Sequence, residues 1–148
     1  MFEIESKNQD EIIITTKKTS IKFNIADAVI DAGLSVGKIT GPGEFEIGDA
    51  TIRGIATASG KTIYDAEISG VHVGIMGGIE ENFDDIVADI LCTSSVRAIR
   101  EIEPKLIIAM GNVDAMVADL KLTARSEKKL KVKNLDSLPA TKEVVVLS

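Results

Sequence analysis

The sequence predicts a mixed α/β protein in which a few helices pack on layers of β-sheet. Three observations carry that reading. Residues 2–76 hold repeated short stretches that alternate apolar and polar side chains, the period of a strand with one dry face. After Gly77 the pattern changes to short apolar strands separated by helical patterns, as in a βαβ unit. Between the two, Gly41–Gly60 (GPGEFEIGDATIRGIATASG) concentrates the turn chemistry. Its 148 residues suit a single domain, 1–148, with a substantial core.

Residues 2–7 and 11–16 read as strands around the polar turn Asn8-Gln9-Asp10, and Ile21 with Phe23 open a third. Ile25–Val36 mixes Ala, Val, Ile, Asp and Gly and is compatible with a short helix. Gly41-Pro42-Gly43 forces a turn, because Pro42 fixes its own φ and glycine reaches angles closed to other residues. Phe45 and Ile47 then alternate with Glu44 and Glu46. Gly48-Asp49 is a two-residue hairpin link, after which Ala50, Ile52 and Gly54 resume the inward positions. Residues 62–68 alternate again, and Ser69-Gly70 turns the chain into Val71–Met76, apolar enough to lie inside a sheet.

In the second half, Glu80–Val87 reads as a helix, acidic at its N-terminal end, with Phe83, Ile86 and Val87 facing inward. Asp89–Cys92 is a short strand. Ser94 or Ser95 caps a helix running to Ile102, stopped by Pro104, and Leu106–Met110 is a buried strand. Val113–Leu120 is a second helix with Val113, Met116, Val117 and Leu120 inside. Residues 130–132 and 144–147 are late strands.

Composition narrows the function. A net charge of −6 argues against a phosphate-backbone binder, and 3% aromatics without Trp leave few stacking platforms. One cysteine, Cys92, excludes an internal disulfide and any multi-cysteine metal cluster. No apolar run reaches signal-peptide or membrane-spanning length, so a cytoplasmic protein without membrane contact is expected.

The Gly41–Gly60 stretch, with its Gly-Pro-Gly turn, acidic-aromatic strand, hairpin and Ile52-Arg53-Gly54-Ile55-x-Thr57, resembles the metallo-β-lactamase-fold hydrolases. The similar branch is the one related to lactonases that open sugar-phosphate lactones. Ile102–Ile108, Leu138-Pro139 and Glu143–Leu147 extend the likeness through most of the chain. It implies a truncated αββα sandwich, mixed β-sheets with flanking helices. It also implies where metal ligands would stand. The family's His-x-His-x-Asp-His loop would fall between Phe23 and Gly41, where only 17 residues intervene and none is histidine. Its isolated histidine falls on Ser59, its bridging aspartate on Gly78, and its last histidine on Gly111, beside Asn112. Every implied ligand is replaced, two of them by glycine, which offers no side-chain donor. Ser59, Gly78, Gly111 and Asn112 are therefore expected to mark a residual cleft, with no catalytic residue, metal or cofactor.

Other candidates have simpler explanations. His72 could serve as a base, yet a strand histidine without an evident partner is ordinarily structural. Ser94-Ser95 suits a helix cap better than a nucleophile. Gly74–Gly78 lacks the Lys-Ser/Thr of a phosphate loop and precedes four acids, whose spacing in turn is not that of a calcium loop. Cys92 is a small buried hydrophobe. Residues 121–133 carry six basic side chains against Glu127, the composition of a protected edge strand or of a docking surface for an acidic partner or RNA.

The expectation that follows is a catalytically inactive, metal-free relative of these hydrolases acting as a binding or assembly protein. The alternatives are a small hydrolase or lactonase using the cleft without metal, or with a metal at a subunit interface, and a nucleic-acid-associated module. Loss of cover between Phe23 and Gly41 would leave Val71–Met76 and Leu106–Met110 open, so a homo-oligomer, most simply a dimer, is expected, with a protein partner as the other occupant.

Overall fold

The computed structural model describes all residues except Gln9, Asp27, Ala28, 34–36, Asn112 and Ser148. Two sheets hold the described strands. The first has six, in the spatial order Leu130–Val132, Phe2–Asn8, Glu11–Thr15, Ser20–Asn24, Val29–Asp31, Lys38–Thr40, and the second has eight. The first sheet is antiparallel throughout: β1 (Phe2–Asn8), β2 (Glu11–Thr15), β3 (Ser20–Asn24), β4 (Val29–Asp31), β5 (Lys38–Thr40) and β13 (Leu130–Val132). β2 and β3 form where the sequence predicts strands, and they alternate in burial, with Ile12, Ile14, Ile21 and Phe23 buried completely.

The second sheet begins as an antiparallel meander of β6 (Gly43–Ile47), β7 (Ala50–Ala56), β8 (Thr62–Ile68) and β9 (Val71–Gly77). It continues in parallel through β10 (Ile90–Thr93), β11 (Leu106–Ala109), β14 (Glu143–Leu147) and β12 (Ala124–Glu127). Parallel neighbours need crossovers. Helix α1 (Val96–Ile102) joins β10 to β11, and α2 (Val113–Leu120) follows β11. The helices pack on each other and α1 packs on β10. Ile52, Tyr64, Ala66, Val73 and Ile75 of the second sheet face the isoleucines of the first, and the Phe23 and Tyr64 rings, with centroids 5.6 Å apart, join the layers. The Tyr64 hydroxyl is buried without a described partner, and burial raises its pKa. No described helix is long and apolar enough to cross a membrane.

Several expectations are corrected. Glu80–Val87 is not a helix: only Phe83–Asp85 makes a single 3₁₀ turn, with Asn82 left-handed (φ 57°) before it and Ile86 extended after it. Glu80 and Glu81 are engaged by serines on neighbouring elements, which holds the chain out of helical geometry. Ile86 is buried, but Val87 is 65% exposed. The described residues of Ile25–Val36 form no helix; Val29–Asp31 pairs with β3 instead. Nor are the central strands open. Val71, Val73, Ile75, Met76, Leu106, Ile107 and Ile108 are at most 1% exposed, and among described residues only Met1 and Val87 are exposed large hydrophobics. The chain buries these strands with its own elements.

Candidate functional site

The parallel strands β9, β10 and β11 end at one level, and the turns that follow them meet. In open α/β sheets, crevices beyond the carboxyl ends of parallel strands are where ligands settle. Gly77, which closes β9, takes φ 58°, and its carbonyl accepts from the Ser94 amide (2.9 Å) and the Thr93 hydroxyl (2.8 Å). Those bonds lock the end of β9 to the end of β10. Met110 N–H donates to the Thr93 carbonyl at 2.9 Å, locking β11 in the same way.

Gly78, Ser94 and Gly111 therefore adjoin. A Cβ on Gly78 would stand 3.3 Å from Ser94 Oγ, and one on Gly111 (φ 115°) 3.3 Å from Ser94 Cβ. Around them lies a cleft of about 810 Å³, floored by Val96, Met110 and Met116, with Ala115 on the α2 side. Two carboxylates stand at its walls, Asp10 from the β1–β2 turn and Asp119 from α2. Sequence reasoning found Gly78 and Gly111, weighed Ser94 only as a helix cap or nucleophile, and missed Asp10 and Asp119. The signal for Ser94 was its position just past a buried strand, in step with Gly78 and Gly111.

Ser59 lies apart from the cleft lining, in the turn between β7 and β8. Its hydroxyl donates to Glu81 Oε2 at 2.5 Å and its amide to Oε1 at 3.1 Å. Ser95, the cap of α1, accepts from Ala98 N–H and donates to Glu80 Oε2 at 2.5 Å. Together these bonds tie the segment after Gly78 to both of its neighbours. Asn112 lies outside the described residues.

The Glu81 carboxyl is held below its ordinary value of 4.5, chiefly by the Ser59 hydroxyl, with Thr57, the Ser59 amide and Lys61 adding to the effect. A depressed folded pKa gives a contribution that is present above the unfolded value and lost as pH falls through the folded one. The tie between Ser59 and Glu81 is thus expected to persist at neutral pH and loosen only in acid. In an NMR titration the Glu81 carboxyl should show a midpoint below 4.5 that returns to the ordinary range in Ser59→Ala. Identical midpoints in the two proteins would show that the tie is absent in solution.

His72, read from sequence as lacking an evident partner, has several. Its Nδ1 lies 3.1 Å from Asp65 Oδ1 and its Nε2 3.7 Å from Glu67 Oε2. Arg53 reaches the same buried Asp65 at 3.4 Å and donates to the Asp85 carbonyl at 2.6 Å. The His72 amide donates to Asp89 Oδ2 at 2.8 Å, and the Asp89 amide to the His72 carbonyl. The group lines a smaller cavity of about 300 Å³ on the far face of β7–β9. Its bonds pin the 82–89 segment to the sheet, a structural role. Cys92 is fully buried, which pushes its thiol pKa up and leaves it inert.

A catalytic zinc site needs three protein donors converging while one position stays open. The cleft offers two carboxylates and a hydroxyl, and no group of three or more His, Cys, Asp or Glu among the described residues could hold a metal ion. The described donor set does not make up a catalytic zinc site.

No protein-family model and no curated protein matches the sequence. Among solved structures, the chain is similar to a protein of Thermotoga maritima described as a proposed zinc-dependent hydrolase of the metallo-β-lactamase superfamily. The TM-score is 0.73 at 17% identity, over 99% of this chain and 98% of that one. The fold is thus metallo-β-lactamase-like, matched over nearly the whole of both chains.

Proposed function

We propose that this chain is a metal-free protein of metallo-β-lactamase-like fold that uses the cleft beyond β9, β10 and β11 to bind a small molecule. The observation that supports it is the pair Gly78 and Gly111. They stand where the family resemblance puts two metal ligands, and both border the cleft around Ser94. Glycine there removes donors and leaves room, so the cleft keeps its volume while losing its chemistry. Ser94 is not placed as a nucleophile, since His72 sits in the other cavity, on the far face of the sheet. Sugar-phosphate lactone opening finds no support in a lining that carries two carboxylates and no described basic group.

The test is metal binding by the purified protein. Elemental analysis is expected to find well under one zinc, iron or manganese per chain, and titration with Zn²⁺ should leave the thermal midpoint unchanged. One tightly held metal per chain, with a raised midpoint, would restore the hydrolase reading.

A further inference from the structure

We propose that the ligand of this cleft is a small organic cation with an apolar body, an alkylammonium, and not an anion. The inference rests on the binding reading above and adds the charge and shape of what is bound.

Three features of the cleft converge on it. Its described lining contains no Lys, Arg or His, while Asp10 and Asp119 supply two negative charges. They come from different layers of the fold, Asp10 from a turn of the first sheet and Asp119 from the helix beside the second. The lining of the cleft therefore carries an acceptor from each layer. The Asp10 backbone is held in place, since its carbonyl accepts from Ile25 N–H at 2.9 Å and its amide donates to Asn8 Oδ1 at 2.8 Å.

The floor is apolar and adaptable. Met110 and Met116 are 3% and 2% exposed, and unbranched thioethers mould to alkyl chains of differing shape. Ser94, between the two glycines, adds a hydroxyl that can accept an N–H. Methionine and valine below with carboxylates above suit a hydrocarbon body whose ammonium stays at the mouth.

Competing charges do not cancel this preference. Asp119 pairs with Arg100 at 3.6 Å, but both side chains are more than half exposed. Such an exposed pair is weak, so it leaves Asp119 open to exchange its partner. Glu80, Glu81, Asp84 and Asp85 follow Gly78 in the chain, and the net charge of −6 attracts cations over a distance. An anion would meet these carboxylates, with Arg100 beside Asp119 as a partial offset at the wall.

The chain's four methionines provide the readout. Met110 and Met116 line the cleft, whereas the buried Met76 does not and serves as the internal control. Protein labelled with ¹³C in the methionine methyls is titrated at low salt with hexylammonium, hexanoate and 1-hexanol. Hexylammonium should shift Met110 and Met116 saturably and bind at least about tenfold more tightly than hexanoate, the effect of one charge-assisted contact. The double variant Asp10→Asn/Asp119→Asn, both at exposed positions, should bring hexylammonium down to the affinity of hexanol. Equal binding of hexanoate or hexanol by the unaltered protein, or a preference that survives in the double variant, overturns the cation while the cleft remains a binding site. If no probe moves Met110 and Met116, both readings fall.

Discussion

Phe23→Ala is expected to cost about 3–5 kcal/mol, the range for truncating a buried aromatic into a cavity that cannot collapse. Phe23 is fully buried on β3 and points at the second sheet, where its ring lies tilted by 58° against Tyr64. Its neighbours offer little relaxation. The chain has only four Phe and one Tyr, and the surrounding core is largely isoleucine, whose branched Cβ holds χ1 in few rotamers. The consequences reach the cleft, because Ile25, two residues on, packs under Gly77 and binds the Asp10 carbonyl. Phe23 thus helps to set the spacing between the wall carrying Asp10 and the strand ends carrying Gly78, Ser94 and Gly111. Denaturant unfolding measures the loss. A cost below about 1.5 kcal/mol would mean that the site closes up and that the sheets are joined through other contacts.

The fold was legible wherever a strand had one wet and one dry face. Phe45-Glu46-Ile47 and Ile52-Arg53-Gly54 gave their alternation away, and burial follows it, whereas Ile12-Ile13-Ile14 was read as a strand from its β-branched side chains and only the structure sorts its faces. β12 escaped for the opposite reason. Ala124, Arg125, Ser126 and Glu127 sit at the sheet edge with both faces wet, so no periodicity distinguishes them from a loop. β13 was legible because Leu130 and Val132 are buried while Lys131 is exposed, and it is indeed an edge strand. β4 and β5, three residues each, were too short to carry a pattern. The 80–87 segment misled because acidic residues ahead of apolar ones match a helix start. What decides its shape is tertiary: Ser59 and Ser95 draw two successive glutamates in different directions.

The site was half legible. Gly78 and Gly111 could be placed by likeness to a family, and the structure brings both to Ser94. Asp10 and Asp119 could not be found that way, since they come from opposite ends of the chain and meet one cleft only after the layers have packed. The partners of His72 were hidden by register. Glu67 stands directly across from it on β8, and Asp65 two residues earlier on the same face, a pairing that depends on where the Ser69-Gly70 turn falls.

Gly48→Val should destabilise by about 3 kcal/mol, from two costs that act together: left-handed backbone, about 1–2 kcal/mol for a residue with a Cβ, and overpacking, about 1–3 kcal/mol. The hairpin link was placed from sequence at Gly48-Asp49, and the register Ile47↔Ala50 with Gly48 at φ 61° puts it there. The structure adds a contact that sequence could not reveal. A Cβ on Gly48 would lie 2.9 Å from Thr19 Cγ2 and 3.2 Å from Thr19 Cβ, in the turn joining β2 to β3 of the other sheet. Asp49 fastens the same junction by accepting from the Thr16 hydroxyl at 2.6 Å, so the turn cannot move aside without breaking that bond. Gly60 is the control. It is also left-handed (φ 86°), but nothing lies within 4 Å of a Cβ there, so Gly60→Val bears the backbone cost alone. Denaturant unfolding of the two variants separates strain from clash. Equal losses would mean that the turns of the two sheets do not touch in solution, whereas an excess at Gly48 measures the contact that holds this end of the sandwich closed.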